Sequence, residues 1–434
     1  MSVKIRSIKF NFVMNLLLTG SSLLFPLITF PLVTRALYAD MYGLCNWAMS
    51  VVNWFSLIGM LGVTKYGIRT VARNRDDKQL LNKVTKEILF VTIISTLISF
   101  LVFLALVLFV DPFRSNKVLL LINGLTIICN TLGVTWFFQG IEQYAYITIR
   151  GIVIKIISLL GVIALVHVPD DYLVYAMLIV VANGAANLIN FFYMMHLIDA
   201  GKHVSGSLKS LGSMFGGLAQ IARGAFKHVK PLMVFFTITA AISIYGILDT
   251  VMLGILSTTR EVGYYTAAGY VKTALAGIVS ALTGVLLPRA AHMLSHGQRQ
   301  DYLVIIKKCI FVALMISFGL SVVMTLAATP LIAWYAGPDF KDAGPVITLA
   351  VYSLIPASLS TICCDAILVP MGKEKICSIV YCVAAAVDFS LNLVLIPSLG
   401  AQGAALSTLM VEILVLVIEG SYILKMKLLK SEQL

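Results

Sequence analysis

The chain has 434 residues, 59% of them hydrophobic and 12% charged, with a formal net charge of +12. Soluble domains carry about 25% charged residues, so a chain this apolar does not belong with them. The positive excess is not a nucleic-acid footprint either, because no soluble basic module exists to carry one.

Apolar runs near the roughly 20 residues that a bilayer requires recur twelve times, at about 11–34, 43–64, 88–110, 118–138, 147–167, 173–197, 232–256, 262–287, 305–329, 345–369, 377–397 and 403–424. The N-terminal "MSVKIRSIKFNF" looks like the basic region of a signal peptide, but the apolar stretch after it is too long and lacks a clean small-residue cleavage site. It reads as an uncleaved first span. "FPLITFP" places Pro26 and Pro31 in that span, where kinks are expected, and Arg35 stands at its outer end. Trp47 and Trp54, seven apart on span two, share a face.

Span five carries Lys155 near its middle. After span six comes the largest non-spanning piece, residues 201–231, with Val204, Leu208, Leu211, Phe215, Leu218 and Ala222 at three- and four-residue steps. Five basic residues punctuate it, which predicts an amphipathic helix on the inner leaflet. Span seven holds Asp249 in its outer part. Span eight holds Tyr264, Tyr265 and Tyr270, then Lys272 at mid-depth, where a lysine costs about 2.5–3.5 kcal/mol. Trp47, Tyr264 and Tyr265 lie near the outer boundary and read as an interfacial aromatic belt; Trp54 and Tyr270 are deeper and suit sugar contacts. Pro356 interrupts span ten, whose inner part holds Asp365. Asp388 and Glu412 lie at mid-depth in spans eleven and twelve.

Lysine and arginine fix the orientation. With both termini cytoplasmic, the cytoplasmic segments hold 25 of the 32 basic residues and the outward loops hold five, leaving Lys155 and Lys272 within spans. Residues 65–87 and 201–231 are then cytoplasmic and 257–261 external. An internal repeat divides the spans: a shift of 220 sets Gly43 on Gly263, Val51 on Val271 and Arg69 on Arg289. A shift of 232 sets "QGIEQ" (139–143) on "MGKEK" (371–375). The expected fold is therefore an all-α integral membrane protein, with twelve transmembrane helices in two pseudo-twofold-related six-helix bundles around a central cavity. Its parts would be an N-terminal lobe 1–200, a cytoplasmic linker helix 201–231 and a C-terminal lobe 232–434.

No acid lies one helical turn from Lys155 or Lys272, so two cations facing a wet cavity would attract an anionic substrate, and an ammonium can hold a phosphate as a point charge. Asp249, Asp388, Glu412 and Asp365 either pair with polar neighbours as structural glue or take part in gating and ion coupling. No phosphate-binding loop is present. His292 and His296 lack the intervening Glu of a zincin, and Asp301 completes no metal spacing, so neither metal nor cofactor is expected. The seven cysteines fall mostly inside predicted helices and read as packing residues.

"IYGILDTVMLGILSTTREVGYYTAAGYV" (244–271), "LIPASLS" (354–360), "NLVLIPSLGAQGAALSTLMVE" (392–412) and "WFFQGIEQYAYI" (136–147) resemble the Wzx-type polysaccharide flippases of the multidrug/oligosaccharidyl-lipid/polysaccharide exporter superfamily. The resemblance implies a twelve-helix, two-lobed, non-enzymatic transporter of the bacterial plasma membrane. Its substrate would be an undecaprenyl-diphosphate-linked oligosaccharide, moved from the inner to the outer leaflet for O-antigen or capsule synthesis. It implies a cationic lumen at Arg35, Lys155 and Lys272, with Lys65 and Arg69 at the cytoplasmic mouth and an acid at Asp249. Lysine stands at 272 in place of the family's arginine, and Lys155 in place of a neutral residue. Membrane lipids, a glycan polymerase and chain-length machinery are the partners it suggests. Two rivals remain: a cation-coupled drug antiporter of the same superfamily, which would want an acid-dominated cavity, and a membrane glycan polymerase, which would want a large outward loop.

Overall fold

Inside a bilayer a lone apolar segment can satisfy its backbone only as a helix, and every regular element among the described residues is helical. The structure, a computed structural model, describes residues 7–199, 218–295 and 298–426. Eight stretches among them are long and apolar enough to cross a membrane by length and composition. Two of these, Lys9–Asn74 and Glu374–Lys425, each hold two expected spans. The protein is a multi-pass membrane protein. It folds as two compact units, one of Met1–Leu37 and Ala48–Ala240, the other of Tyr38–Trp47 and Ala241–Leu434.

The first unit contains most of α1 (Ile8–Met60), then α2 (Val63–Asn74), α3 (Lys78–Phe109), α4 (Lys117–Leu132), α5 (Thr135–Gly140), α6 (Tyr144–Leu165), α7 (Tyr172–Asp199) and the start of α8 (Leu218–Leu256). Asp77 opens α3, its Oδ1 accepting from the Gln79 and Leu80 amides at 2.9 and 3.0 Å. The expected fourth span is broken at Val134, whose φ is 38°. The break leaves the Gly133 carbonyl without a helical partner, and Asn190 Nδ2 on α7 donates to it at 2.6 Å. Beyond the break, Trp136, Phe137 and Phe138 are buried in a cluster with Val63, Val71, Ile88 and Leu232.

Residues 218–230, expected within a separate linker helix, are instead the opening turns of α8, which continues through Pro231. Residues 201–217 of that expected linker lie outside the described residues. Polar contacts explain why the opening of α8 belongs with the first unit. Lys227 Nζ and His228 Nε2 lie 2.7 and 2.9 Å from Glu87 Oε2 on α3, and Tyr66 OH lies 2.6 Å from His228 Nδ1. Along the later part of the chain the two units divide at Ala240/Ala241.

The second unit takes residues 38–47 of α1 and the rest of α8, with α9 (Thr259–Ser295), α10 (Arg299–Tyr335), α11 (Gly344–Tyr352), α12 (Leu354–Thr361), a π-helical segment (Ile362–Leu368) and α13 (Glu374–Lys425). The non-helical residue in α1 is Tyr38 (φ 54°, ψ 179°), not either proline, and Asp339 Oδ2 accepts from the Ala39 amide there at 2.7 Å. Expected spans eleven and twelve are the two halves of α13, parted at Gly400 (φ 57°, ψ −132°), a conformation suited to glycine alone. Glu261 Oε2 accepts from the Ala401 amide at 2.7 Å and recaps the second half. Pro356 falls in the first turn of α12, where a missing N–H is harmless, so the helix break comes just before it at Ser353.

Arg260 joins this unit's polar groups near Tyr38. It bonds to Asp339, reaches Asp40 Oδ2 at 3.3 Å and donates from Nε to Tyr264 OH at 2.8 Å. The Tyr264 hydroxyl, followed by Asp339 and Asp40, holds the Arg260 guanidinium above its ordinary range. Trp47 and Tyr264 are 1% and 4% exposed. Neither faces lipid, which corrects the aromatic-belt expectation: Trp47 packs against Gly254, and the Tyr264 hydroxyl is bonded to Arg260.

Candidate functional site

In the second unit, four helical stretches bring acids and neutral donors to one buried point. α8 supplies Asp249, α9 supplies Tyr265, the first half of α13 supplies Asp388 and Asn392, and the second half supplies Ser407 and Thr408. Asp388 and Asn392 are four residues apart and so share a helix face. Asp249, Asp388 and Asn392 are all but fully buried.

Asp249 Oδ1 accepts from Asn392 Nδ2 at 2.6 Å, and its Oδ2 accepts from Thr408 Oγ1 at 2.9 Å and from Tyr265 OH. The same Asn392 nitrogen lies 3.2 Å from Asp388 Oδ2, so one amide bridges the two carboxylates. Ser407 Oγ donates to Asp388 Oδ1 at 2.8 Å. Every one of these donors is neutral. Two buried carboxylates bridged this closely repel one another, and holding both ionised needs a cation or a shared proton.

Lys272, two turns beyond Tyr265, stands within electrostatic range of three acids, Glu412 foremost and then Asp249 and Asp388. On the lysine's own helix no acid lies within a turn. Across helices it faces three. Tyr265 serves this carboxylate centre, so it too is no belt residue. Tyr270, half-buried on α9, is hydrogen-bonded to Tyr42. Asp365 lies apart, exposed on the π-helical segment and bonded to Cys364.

The remaining expected site residues belong to the first unit. Lys155 Nζ donates to Ser21 and Ser22 Oγ at 3.0 and 2.9 Å and lies 6.0 Å from the Phe25 ring centroid. Hydroxyls and an aromatic face, not a carboxylate, receive its charge. Lys65 and Arg69 are exposed one turn apart on α2, Arg35 is exposed on α1, and Trp54 is half-buried on α1. His296 and the side chain of His292 lie outside the described residues. Asn392, Ser407 and Thr408 escaped the sequence reading because small polar residues are common in membrane helices. Their signal was position: Asn392 one turn after Asp388, and Thr408 one turn before Glu412.

The chain matches the family described as polysaccharide biosynthesis protein over residues 8–294. It is 25% identical over 412 residues to a protein of Shigella dysenteriae, covering 94% of this chain and 98% of that one. It is 24% identical over 354 residues to a protein of Escherichia coli K12, covering 82% and 81%. Both relatives carry the name "Putative O-antigen transporter". Among solved structures, the lipid II flippase MurJ in an inward closed conformation superposes with a TM-score of 0.71 at 13% identity, covering 96% of this chain and 87% of that one. An inward-facing multidrug resistance MATE transporter of the MOP superfamily gives 0.65 at 11% identity, covering 94% and 96%. The fold is the one these transporters share.

Proposed function

Because the chain belongs to the polysaccharide biosynthesis protein family, we propose that it is a flippase for undecaprenyl-diphosphate-linked oligosaccharides. It carries repeat units from the inner to the outer leaflet of the bacterial plasma membrane by alternating access, for surface polysaccharide synthesis. The names of the two relatives, and that of the lipid II flippase with the same fold, support this substrate class. The asymmetry of lysine and arginine supports twelve crossings with both termini cytoplasmic and Arg260 outside. A polymerase and chain-length machinery would receive the product.

The observation that carries the mechanism is Lys272 within range of three carboxylates. Lys272 is the anchor for the diphosphate, and Asp249, Asp388 and Glu412 compete for its charge. When a proton or a hard monovalent cation neutralises the carboxylates, the ammonium is released to the diphosphate; when that ion leaves, the acids reclaim it. Lys155, Arg35, Lys65 and Arg69 are further diphosphate contacts along the path, and Trp54 and Tyr270 are sugar contacts. Asp365 is a candidate for gating.

The same acidic excess favours a second reading, a cation-coupled antiporter, which needs carboxylates and has no use for a buried lysine. Surface glycan in cells lacking the native gene separates the two. On the flippase reading Lys272→Ala abolishes glycan export at normal membrane abundance, and Lys272→Arg keeps part of it because charge survives while reach changes. Normal export by Lys272→Ala at normal abundance would overturn the assignment.

A further inference from the structure

Three residues that the transport reading leaves unused meet at the other end of the second unit's helices. Cys364 comes from the π-helical segment, Cys377 from the first turn of α13 and Glu419 from near its end. All are buried, and their thiol and carboxylate atoms lie within 4.8 Å of one another. The two thiols are hydrogen-bonded to each other. Glu419 is 0% exposed; its Oε2 accepts from Ser360 Oγ at 2.8 Å, while its Oε1 has no hydrogen-bond partner among the described residues.

An ionised carboxylate oxygen buried without a partner is costly, and no cationic side chain forms an ion pair with Glu419 among the described residues. The group that would satisfy it must fit between an oxygen and two sulfurs. Sulfur excludes the hard cations, which prefer all-oxygen shells, and selects a borderline or soft one. The π-helical turn has the same sense, since such segments recur at functional sites and this one carries Cys364.

We propose that Cys364, Cys377 and Glu419 form a binding site for a thiophilic divalent cation of the zinc class. Binding releases one proton from each thiol, leaving two thiolates and a carboxylate around the ion with a fourth position open to water. Metal–sulfur bonds of about 2.3 Å need the ligands to draw in by about 1 Å, within the reach of side-chain rotation. The ion would staple the π-helical segment to both ends of α13. Cys363, next in sequence to Cys364, is not one of the ligand set.

The test uses the purified full-length protein in detergent, reduced, stripped with a chelator and titrated with Co2+. Expected is one Co2+ per chain, with thiolate-to-cobalt charge-transfer absorption in the near ultraviolet that Zn2+ bleaches. Cys364→Ser and Cys377→Ser each abolish that absorption, Cys363→Ser keeps it, and Glu419→Gln weakens Co2+ binding at least about tenfold. Should a cysteine variant fail to elute as a folded species, the Glu419→Gln titration carries the test alone. Wild-type protein without charge-transfer absorption, or a Glu419→Gln variant that titrates like wild type, overturns the site.

Discussion

Gly43 and Gly263 abut each other's helices reciprocally. A Cβ on Gly43 would lie 1.8 Å from the Thr259 carbonyl oxygen, and one on Gly263 would lie 2.3 Å from the Ala39 carbonyl oxygen. The 220-residue shift that sets Gly43 on Gly263 also sets Ala39 on Thr259. Each glycine therefore touches the repeat counterpart of the residue the other touches, as across a local twofold axis. The contact lies within the second unit.

Alanine at either glycine must push backbone from backbone. Gly43→Ala and Gly263→Ala should each destabilise the protein by about 1–3 kcal/mol or more, seen as lower membrane abundance and a lower Tm in detergent. Gly269→Ala is the control. Nothing lies within 4 Å of its Cβ position, and alanine favours a helix, so its Tm should hold or rise.

Glu87 makes a sharp contrast between its two basic partners. The His228 side chain is 4% exposed and that of Lys227 is 53% exposed. Removing the buried carboxylate's interior hydrogen-bond donor, by His228→Leu, should cost about 1.5–3 kcal/mol. Lys227→Ala should cost about 0–1 kcal/mol, because water screens and replaces that ammonium. Thermal unfolding of both variants in one detergent checks the ranking. Equal losses would mean that the two residues share the anchoring of α8 evenly.

Asp339 serves both an ion pair and a helix break, whereas Arg260 serves the polar cluster alone. The Asp339 carboxylate bonds to the guanidinium and caps the Ala39 amide at the helix break. Asp339→Ala should therefore lower stability by about 1–2 kcal/mol more than Arg260→Ala, with Asp339→Asn between them because an amide oxygen still caps. Chemical unfolding, or thermal unfolding where it is reversible, gives the order.

The carboxylate centre predicts a loss of coupling. Asp249→Asn and Asp388→Asn remove charge but keep hydrogen-bonding shape, so protein level should hold. Transport of a lipid-linked oligosaccharide into proteoliposomes should no longer respond to an imposed proton or sodium gradient. A gradient response of wild-type size in both variants would place coupling elsewhere.

The sequence shows helices well and their interruptions poorly, for a physical reason. A long apolar run must be helical in lipid wherever it lies, so the spans are written locally. A break needs a partner for each freed backbone group. The amide freed at Tyr38 finds its partner in Asp339, 300 residues away, and prolines 26 and 31 gave no hint of it. Buried acids were legible because a charge in an apolar run is conspicuous. Their ordering by Asn392 and Thr408 was not, because those residues are unremarkable until α8 and α13 place them around Asp249. Cys364, Cys377 and Glu419 were hidden further, scattered over a stretch of chain with no shared spacing.

Residues 38–47 are made first and used last. They belong to the second unit, through Ala39 to Asp339, Asp40 to Arg260 and Trp47 against Gly254, yet they leave the ribosome some two hundred residues before the rest of it. During synthesis this short stretch must wait, already threaded into the membrane as part of α1, for its partners to be inserted. The second unit thus has no independent birth. A gene fragment beginning at Ala241 would encode helices whose keystone is missing, and cutting the gene there and expressing both pieces would ask the first product to lend that segment to the second.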